Sequence, residues 1–267
     1  MKHGIVEQTR NPLDHFDEVE ESVRIQGFGI FKNFLTNEEV DISRNKIDEI
    51  YAKQLKELEV DNFDEIKDSN IARSLATEDS FFASIAVSEN ATSIISRLLG
   101  EKFILFSQNG IINPANQKHY QSSWHRDLNY QHWTSSKPIG MSILIAIDSF
   151  SVETGCTQLA AGSHKQAEAP SDWYLENHSI SAVMEAGDAA VFDAMLFHKA
   201  GRNMSGKARR AINHIYGIPL LRAQFDFTQV EDFNVAGRYS ESQKYVLGQQ
   251  VNQPLDPYNW RKIRLQK

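Results

Sequence analysis

The sequence predicts a chain whose central part is mainly β, with a helical N-terminal layer packed on a β-sandwich or barrel. Three observations carry this. The first hundred or so residues place apolar side chains at helical intervals. From Phe103 onward the segments become short, β-branched and aromatic, separated by Gly, Pro, Asn and Ser. No repeat, low-complexity stretch or linker interrupts the chain, and 267 residues can bury a core without disulfides or a structural metal. One domain over residues 1–267 is expected: a helical layer over about 1–100, a β core over about 101–222 and an extension over about 223–267.

Each element has a local reason. Thr36-Asn37-Glu38-Glu39 is a capping box, in which the hydroxyl and the carboxylate each satisfy an orphan N–H. It opens a helix over Val40 to Glu59, with Val40, Ile47, Ile50, Tyr51, Leu55 and Leu58 on one face. A second helix is expected from about Glu78 to Leu99 through Phe81, Phe82, Ile85, Ile94, Ile95 and Leu98, closed by Gly100. Phe103–Phe106 then leads to Asn109-Gly110, read as a turn dipeptide. Ser142–Ile147 reads as a buried strand, Ala189–Phe192 as a strand after the turn Gly187-Asp188, and Ala211–Tyr216 as another. Beyond Phe225 the pattern is loop and short helix.

Composition narrows the function classes. Lys plus Arg total 28 against 35 Asp plus Glu, a net charge of −7. That balance argues against a nucleic-acid or anionic-membrane partner, because phosphate neutralisation needs clustered basic charge. The one basic cluster, Arg261-Lys262-Ile263-Arg264, reads as a solvated helix end. The opening MKHGIVEQTR has no apolar signal core and no run is long enough to span a bilayer, so a cytoplasmic protein acting on a small molecule is expected. A single cysteine, Cys156, excludes a disulfide scaffold and Cys-rich zinc or iron–sulfur sites, and reads as a small buried hydrophobe. Against it stand nine histidines. Any metal here must be held by imidazole and carboxylate.

Two His-x-Asp triplets occur, His15-Phe16-Asp17 and His125-Arg126-Asp127, and the triplet alone is a weak signal. Context separates them. His15 and Asp17 fall in a helical segment, where residues two apart do not face each other. His125 and Asp127 follow Gln121-Ser122-Ser123-Trp124, where extended backbone would point both to one face and Arg126 away. A facial triad needs one more histidine from elsewhere, and the candidates are His132, His164, His178, His198 and His214. His198 stands out because it ends the apolar run Met195-Leu196-Phe197 after a strand. Arg209 follows eleven residues later, a guanidinium suited to a dicarboxylate. Two neutral imidazoles and one carboxylate leave three positions on octahedral Fe(II), enough for a bidentate 2-oxo acid and O2.

These residues together resemble the phytanoyl-CoA dioxygenase family of Fe(II)/2-oxoglutarate oxygenases, which includes ectoine hydroxylase. The resemblance spans roughly Phe103 to Leu221. Trp124-His125-Arg126-Asp127-Leu128-Asn129-Tyr130 is similar to the family's W-H-Q-D segment. Glu153–Leu159 with Ala160-Ala161-Gly162-Ser163-His164-Lys165 is similar to N-G-x-L-x-x-x-P-G-S-H-K. Gly187-Asp188, Phe192, Leu196–Asn203 and Arg209–Ile212 complete the ordered set. The resemblance implies a double-stranded β-helix (jelly-roll, cupin-like) core. It implies His125, Asp127 and His198 as iron ligands, Arg209 on the far carboxylate of 2-oxoglutarate, and Gln108 at a position near the co-substrate. The implied reaction consumes O2 and hydroxylates an aliphatic C–H of a small polar metabolite or biosynthetic precursor, with release of succinate and CO2. Three departures stand out: Ala200 where members often carry Ser or Thr on the co-substrate, Arg126 for Gln, and Ala161 for Pro. Asp127 is present, which favours hydroxylation over halogenation.

Blander readings stand beside these. His164 reads as a histidine bracing its loop through a hydrogen bond, and His214 as a satisfied core or groove histidine. A bulge would exchange Arg209 for Arg210. Tyr120, Asn129, Tyr130 and Trp133 flank the triplet, as a substrate pocket or as packing at the sandwich mouth. His125-Arg126-Asp127-Leu128 also opens a protein-kinase signature, but His132 stands where its Asn belongs and no D-F-G follows. The functional alternative is a cupin-type metal-dependent lyase or isomerase, or a silent binding protein of the same fold. Neither the substrate nor the oligomeric state is legible from the sequence.

Overall fold

The structure, a computed structural model, describes residues 11–57, 60–117, 120–128, 134–249 and 254–265. The helical layer opens with α1 (His15–Gln26), whose N-terminus is capped by Asp14 through the Asp17 N–H at 2.9 Å. Gly27 ends it with φ +93° and ψ −4°, a left-handed closure, and leads directly into β1 (Phe28–Phe31). The capping box forms as expected: Thr36 N–H donates to Glu39 at 2.9 Å, and Glu39 N–H to the Thr36 hydroxyl at 3.2 Å. It starts α2 (Asn37–Glu57), followed by α3 (Val60–Glu65) and β2 (Ile71–Arg73).

The single helix expected over Glu78–Leu99 is instead three: α4 (Leu75–Glu78), α5 (Ser80–Ala86) and α6 (Glu89–Leu99). The breaks fall at two capping residues. Asp79 is extended, with φ −154° and ψ 125°, and accepts the Phe81 N–H at 2.9 Å. Ser88 accepts the Ala91 N–H. Short polar side chains offer the backbone a helix start, and here they outweigh a continuous apolar stripe.

A second correction concerns Asn109-Gly110. These residues are not a turn but the middle of β3 (Ile104–Asn113). Gly110 pairs with both Ala72 and Ile212, and a Cβ there would lie 3.0 Å from Ile47 of α2. The glycine lets the helix approach the sheet, while the Asn109 side chain accepts the Ser74 N–H.

The remaining strands are β4 (Gly140–Ala146), β5 (Gln158–Ala160), β6 (Ser179–Ser181) after α7 (Asp172–His178), β7 (Ala189–Asp193), β8 (His198–Lys199) and β9 (Arg209–Gly217). They form an antiparallel six-stranded sheet, β1-β7-β4-β9-β3-β2, and a three-stranded sheet, β6-β5-β8. This is the two-sheet jelly-roll expected from the resemblance. Side-chain alternation gives the large sheet two faces. Met141, Ile143, Ile145, Ile212 and Tyr216 pack under the helices with Phe82, Ile94 and Ile95. Leu144, Ala146, Phe192 and Ala211 pack against Cys156, Leu159 and Ala182 from the side of the small sheet. The chain after residue 222 is more than loop: Phe227, Val230, Phe233, Tyr239 and Leu247 enter the helix-side core, around α8 (Glu241–Val246). The basic cluster lies on α9 (Pro257–Leu265), which buries no side chain, as a solvated helix does. Among the described residues no helix is long and apolar enough to cross a membrane.

Candidate metal centre

The centre lies between the two sheets. His125 is not in a regular strand but forms a single bridge with His198 of β8, each backbone N–H donating to the other's carbonyl at 3.0 Å. Two residues on, Asp127 N–H donates to Ala194 O at 3.0 Å. This extended stretch points His125 and Asp127 into the cavity and turns Arg126 to the other side, where its buried guanidinium lies 4.3 Å from the Phe197 ring and donates to the Ser163, Gln166 and Ala167 carbonyls.

His125, Asp127 and His198 each offer one ligand atom, and the three lie within 4.8 Å of one another. No other such group of His, Cys, Asp or Glu occurs among the described residues. Each side chain is tied at the atom that faces away. His125 Nδ1 lies 2.8 Å from Ser123 O and His198 Nδ1 lies 3.0 Å from Leu196 O. A carbonyl only accepts, so both imidazoles carry a proton on Nδ1 and turn Nε2 to the common point. Asp127 Oδ2 accepts from the Ser142 hydroxyl and from Asn213 Nδ2, while Oδ1 lies 3.5 Å from His198 Nε2. Neither Ser142 nor Asn213 was singled out from the sequence, although both are polar residues on strands that read as buried.

The electrostatics follow. Burial, then the neighbouring His198, lowers His125 to about 4. Burial pushes the Asp127 carboxyl up, but His198 outweighs it by charge and hydrogen bond, leaving it at about 2. Burial likewise opposes protonation of His198, and Asp127 overrides it, raising its pKa.

The cavity beside the triad is lined by Ile111, Leu144 and Phe192 of the large sheet and by Thr157, Ala200 and Arg209. Arg209 is 2% exposed. Its Cζ stacks 3.9 Å from the Phe150 ring and one Nη donates to Gly155 O at 3.1 Å. Its Nε has no partner among the described residues, and burial lowers its pKa to about 10. Arg210 points to the opposite face, paired with Asp48 at 2.7 Å and Asp148 at 3.1 Å. β9 carries no bulge there: its ladder with β3 shifts only at Leu105/Ser107.

Other expected site residues are placed differently. Gln108 is not near the cavity. It sits opposite His214 on the helical face of the sheet and donates to Phe82 O and toward His214 Nε2, both at 2.8 Å. Strand alternation is the cause, since Asn109 and Ile111 take the inward face. Tyr120 is 56% exposed and does not line the cavity. Asn129, Tyr130, His132 and Trp133 lie outside the described residues. His164 is buried with neither nitrogen hydrogen-bonded, so packing against Gly27 holds it rather than the expected turn bond. A larger surface groove of about 660 Å³ runs along residues 219–227, and it holds no metal-ligand cluster.

The sequence profile of phytanoyl-CoA dioxygenase (PhyH) matches residues 23–211. The chain belongs to the phytanoyl-CoA dioxygenase family. It is 28% identical over 218 residues to the uncharacterized protein Rv1501 of Mycobacterium tuberculosis, covering 80% of this chain and 79% of that one. The iron/alpha-ketoglutarate-dependent dioxygenase penM of Penicillium thymicola is 34% identical over 101 residues, 35% of this chain and 32% of that one. Among solved structures, the nickel complex of the non-heme monooxygenase ThoJ superposes with a TM-score of 0.61 at 19% identity, covering 78% of this chain and 80% of that one. The non-heme alpha-ketoglutarate-dependent carbocyclase SnoK of nogalamycin biosynthesis gives 0.60 at 16%, covering 76% and 84%.

As a member of this family the chain is a non-haem iron dioxygenase that uses Fe(II), 2-oxoglutarate and O2. The residues present fit that set. Two Nε2 lone pairs and one carboxylate oxygen converge, each fixed from behind. A buried guanidinium with an unpaired N–H and no carboxylate partner among the described residues fits a dicarboxylate co-substrate.

Proposed function

We propose that this protein hydroxylates an aliphatic C–H of a small polar metabolite or biosynthetic precursor, with release of succinate and CO2, on a single domain. His125, Asp127 and His198 hold Fe(II), and Arg209 binds the far carboxylate of 2-oxoglutarate. The observation that carries this reading is the convergence of three ligand atoms within 4.8 Å, beside a buried arginine with no carboxylate partner among the described residues.

When bound, iron with 2-oxoglutarate and O2 supplies the oxidation. The chain supplies position. The mutual backbone pair of His125 and His198 fixes the two imidazoles relative to each other. Ser142 and Asn213 hold Asp127 Oδ2, which keeps Oδ1 directed inward. Ile111, Leu144 and Phe192 make the apolar wall that excludes water from the reacting centre. A solved structure of similar fold is named a carbocyclase, so the fate of the oxidised carbon needs its own measurement.

The test is succinate release from Fe(II)-loaded protein across a panel of small polar metabolites, with 18O2 as oxidant. Substrate-dependent succinate and one 18O atom in the product are expected, and His125→Ala and Asp127→Ala should abolish both. Full turnover in either variant overturns the ligand assignment. Succinate with no 18O in the product overturns hydroxylation in favour of a desaturation, cyclisation or epimerisation outcome.

A further inference from the structure

The ligand pair has a reverse side. His125 and His198 form a hydrogen-bonded backbone pair, and their rings meet at the cavity with centroids 4.3 Å apart. Continued by one residue each way, that register sets Trp124 opposite Lys199 and Arg126 opposite Phe197. Positions that flank a hydrogen-bonded pair bring their side chains closest, and alternation turns them to the opposite face. Each flanking pair is a cation over an aromatic ring. Lys199 Nζ lies 4.8 Å from the Trp124 ring centroid, and Arg126 Cζ lies 4.3 Å from that of Phe197. The order is reversed between them, so each segment supplies one cation and one ring.

Regular pairing between the two ligand-bearing segments is confined to the one bridge. β8 is two residues long, and two residues past His125 the Asp127 N–H already turns to Ala194 O. The side chains behind the bridge extend the contact. Arg126 is 3% exposed and Phe197 6%. The guanidinium also donates to the Ser163, Gln166 and Ala167 carbonyls, while the Ser163 hydroxyl accepts the Phe197 N–H at 2.9 Å. One turn thus grips both segments from behind. Arg126 stands where the family's W-H-Q-D segment has Gln, so the Arg126–Phe197 pair is a feature of this chain rather than of that segment.

We propose that Arg126 with Phe197, and Lys199 with Trp124, are positioning residues for the metal: the two cation–π pairs brace the His125–His198 bridge and fix the angle between the imidazoles. This rests on the ligand assignment proposed above. All four act from the face turned away from the cavity. The sign of the effect separates bracing from bulk electrostatics. A cation near a divalent ion repels it, so deleting the Arg126 or Lys199 charge would by itself tighten metal binding. Bracing predicts the reverse.

The experiment is calorimetric titration of Co(II) into metal-free full-length protein, with the visible ligand-field spectrum recorded at saturation. Arg126→Met should weaken Co(II) about tenfold, as for a group that orients a ligand, and should alter the ligand-field bands at saturation. Lys199→Met should weaken it about threefold, as for an exposed cation–π pair, and Lys199→Arg should stay within about twofold of the parent. Tighter or unchanged Co(II) binding in either methionine variant overturns the proposal. So does weaker binding by Arg126→Met with the parent's bands at saturation, which marks a loss of stability alone. Should Arg126→Met not fold, the Lys199 variants decide the matter, since that side chain reaches solvent. A parent that binds no Co(II), or an Asp127→Ala variant that binds it as the parent does, overturns the ligand assignment itself, a result distinct from failure at Arg126 or Lys199.

Discussion

Gln108 and His214 face each other across the β3–β9 ladder with their Nε2 atoms 2.8 Å apart, on the helical side of the sheet. An amide nitrogen only donates, so His214 Nε2 accepts and its proton is on Nδ1. That proton points at Tyr216 Oη, 3.2 Å away, which in turn donates to Ala86 O at 2.8 Å. Gln108 also donates to Phe82 O. The chain of bonds ties two strands to the backbone of α5 and holds His214 neutral.

Acid stability should report this. Burial lowers His214 from 6.5 to about 3. Below pH 6.5 the unfolded chain takes up a proton that the folded chain refuses until about pH 3, so stability falls as pH falls through that window. One such group contributes about 1.4 kcal/mol per pH unit. Urea midpoints of His214→Gln should therefore fall less steeply between pH 6.5 and 4 than those of the parent. Equal slopes would show that His214 does not titrate in this way.

Metal binding should couple to thermal stability only through the triad. Ni(II) or Fe(II) at about one hundred times Kd adds about 2.7 kcal/mol to the folded state. The melting temperature of the parent should rise accordingly, and that of Asp127→Ala should not. A comparable rise in the variant would place the metal elsewhere.

The two adjacent arginines should separate cleanly. Arg209→Met should raise the KM for 2-oxoglutarate about ten- to a hundredfold, the range for one or two charge-assisted hydrogen bonds, without changing Ni(II) affinity. Arg210→Ala should leave that KM alone and cost about 1 kcal/mol of stability, since Asp48 is exposed and Asp148 is only partly buried. The reverse pattern would mean that the strand faces the other way in solution.

Asp188 should be a sensitive position outside the metal centre. Its carboxylate is 3% exposed and accepts from Lys32 Nζ at 2.7 Å and from the Asn33 and Glu185 N–H groups at 3.0 Å. Asp188→Ala strands two backbone donors and should cost about 3 kcal/mol. Differential scanning should show a fall of about 6–12 °C. A shift within 2 °C, roughly half a kcal/mol, would mean that water replaces the carboxylate.

The site was legible where it depends on period and order. His-x-Asp on extended backbone, a later histidine after an apolar run and an arginine eleven residues on are local facts that the ladders bring together. What could not be read is what depends on facing across strands. Gln108 was placed by its distance along the chain, but one step of strand alternation turns it to the helices. Ser142 and Asn213 sit in segments whose apolar neighbours masked them, and their hold on Asp127 depends on residues far away in sequence. The helix breaks at Asp79 and Ser88 were carried by capping residues that a search for apolar spacing passes over.

The backbone pair between His125 and His198 has one more consequence, for how such an enzyme can diversify. Two ligands far apart in the chain are spaced by one local bridge rather than by the length of what lies between them. The intervening loops can lengthen, shorten or be exchanged without moving an imidazole, whereas a single inserted residue beside either histidine would turn a ligand out of the cavity. On the ligand assignment proposed above, new loops can be tried while the metal-holding geometry is left unchanged.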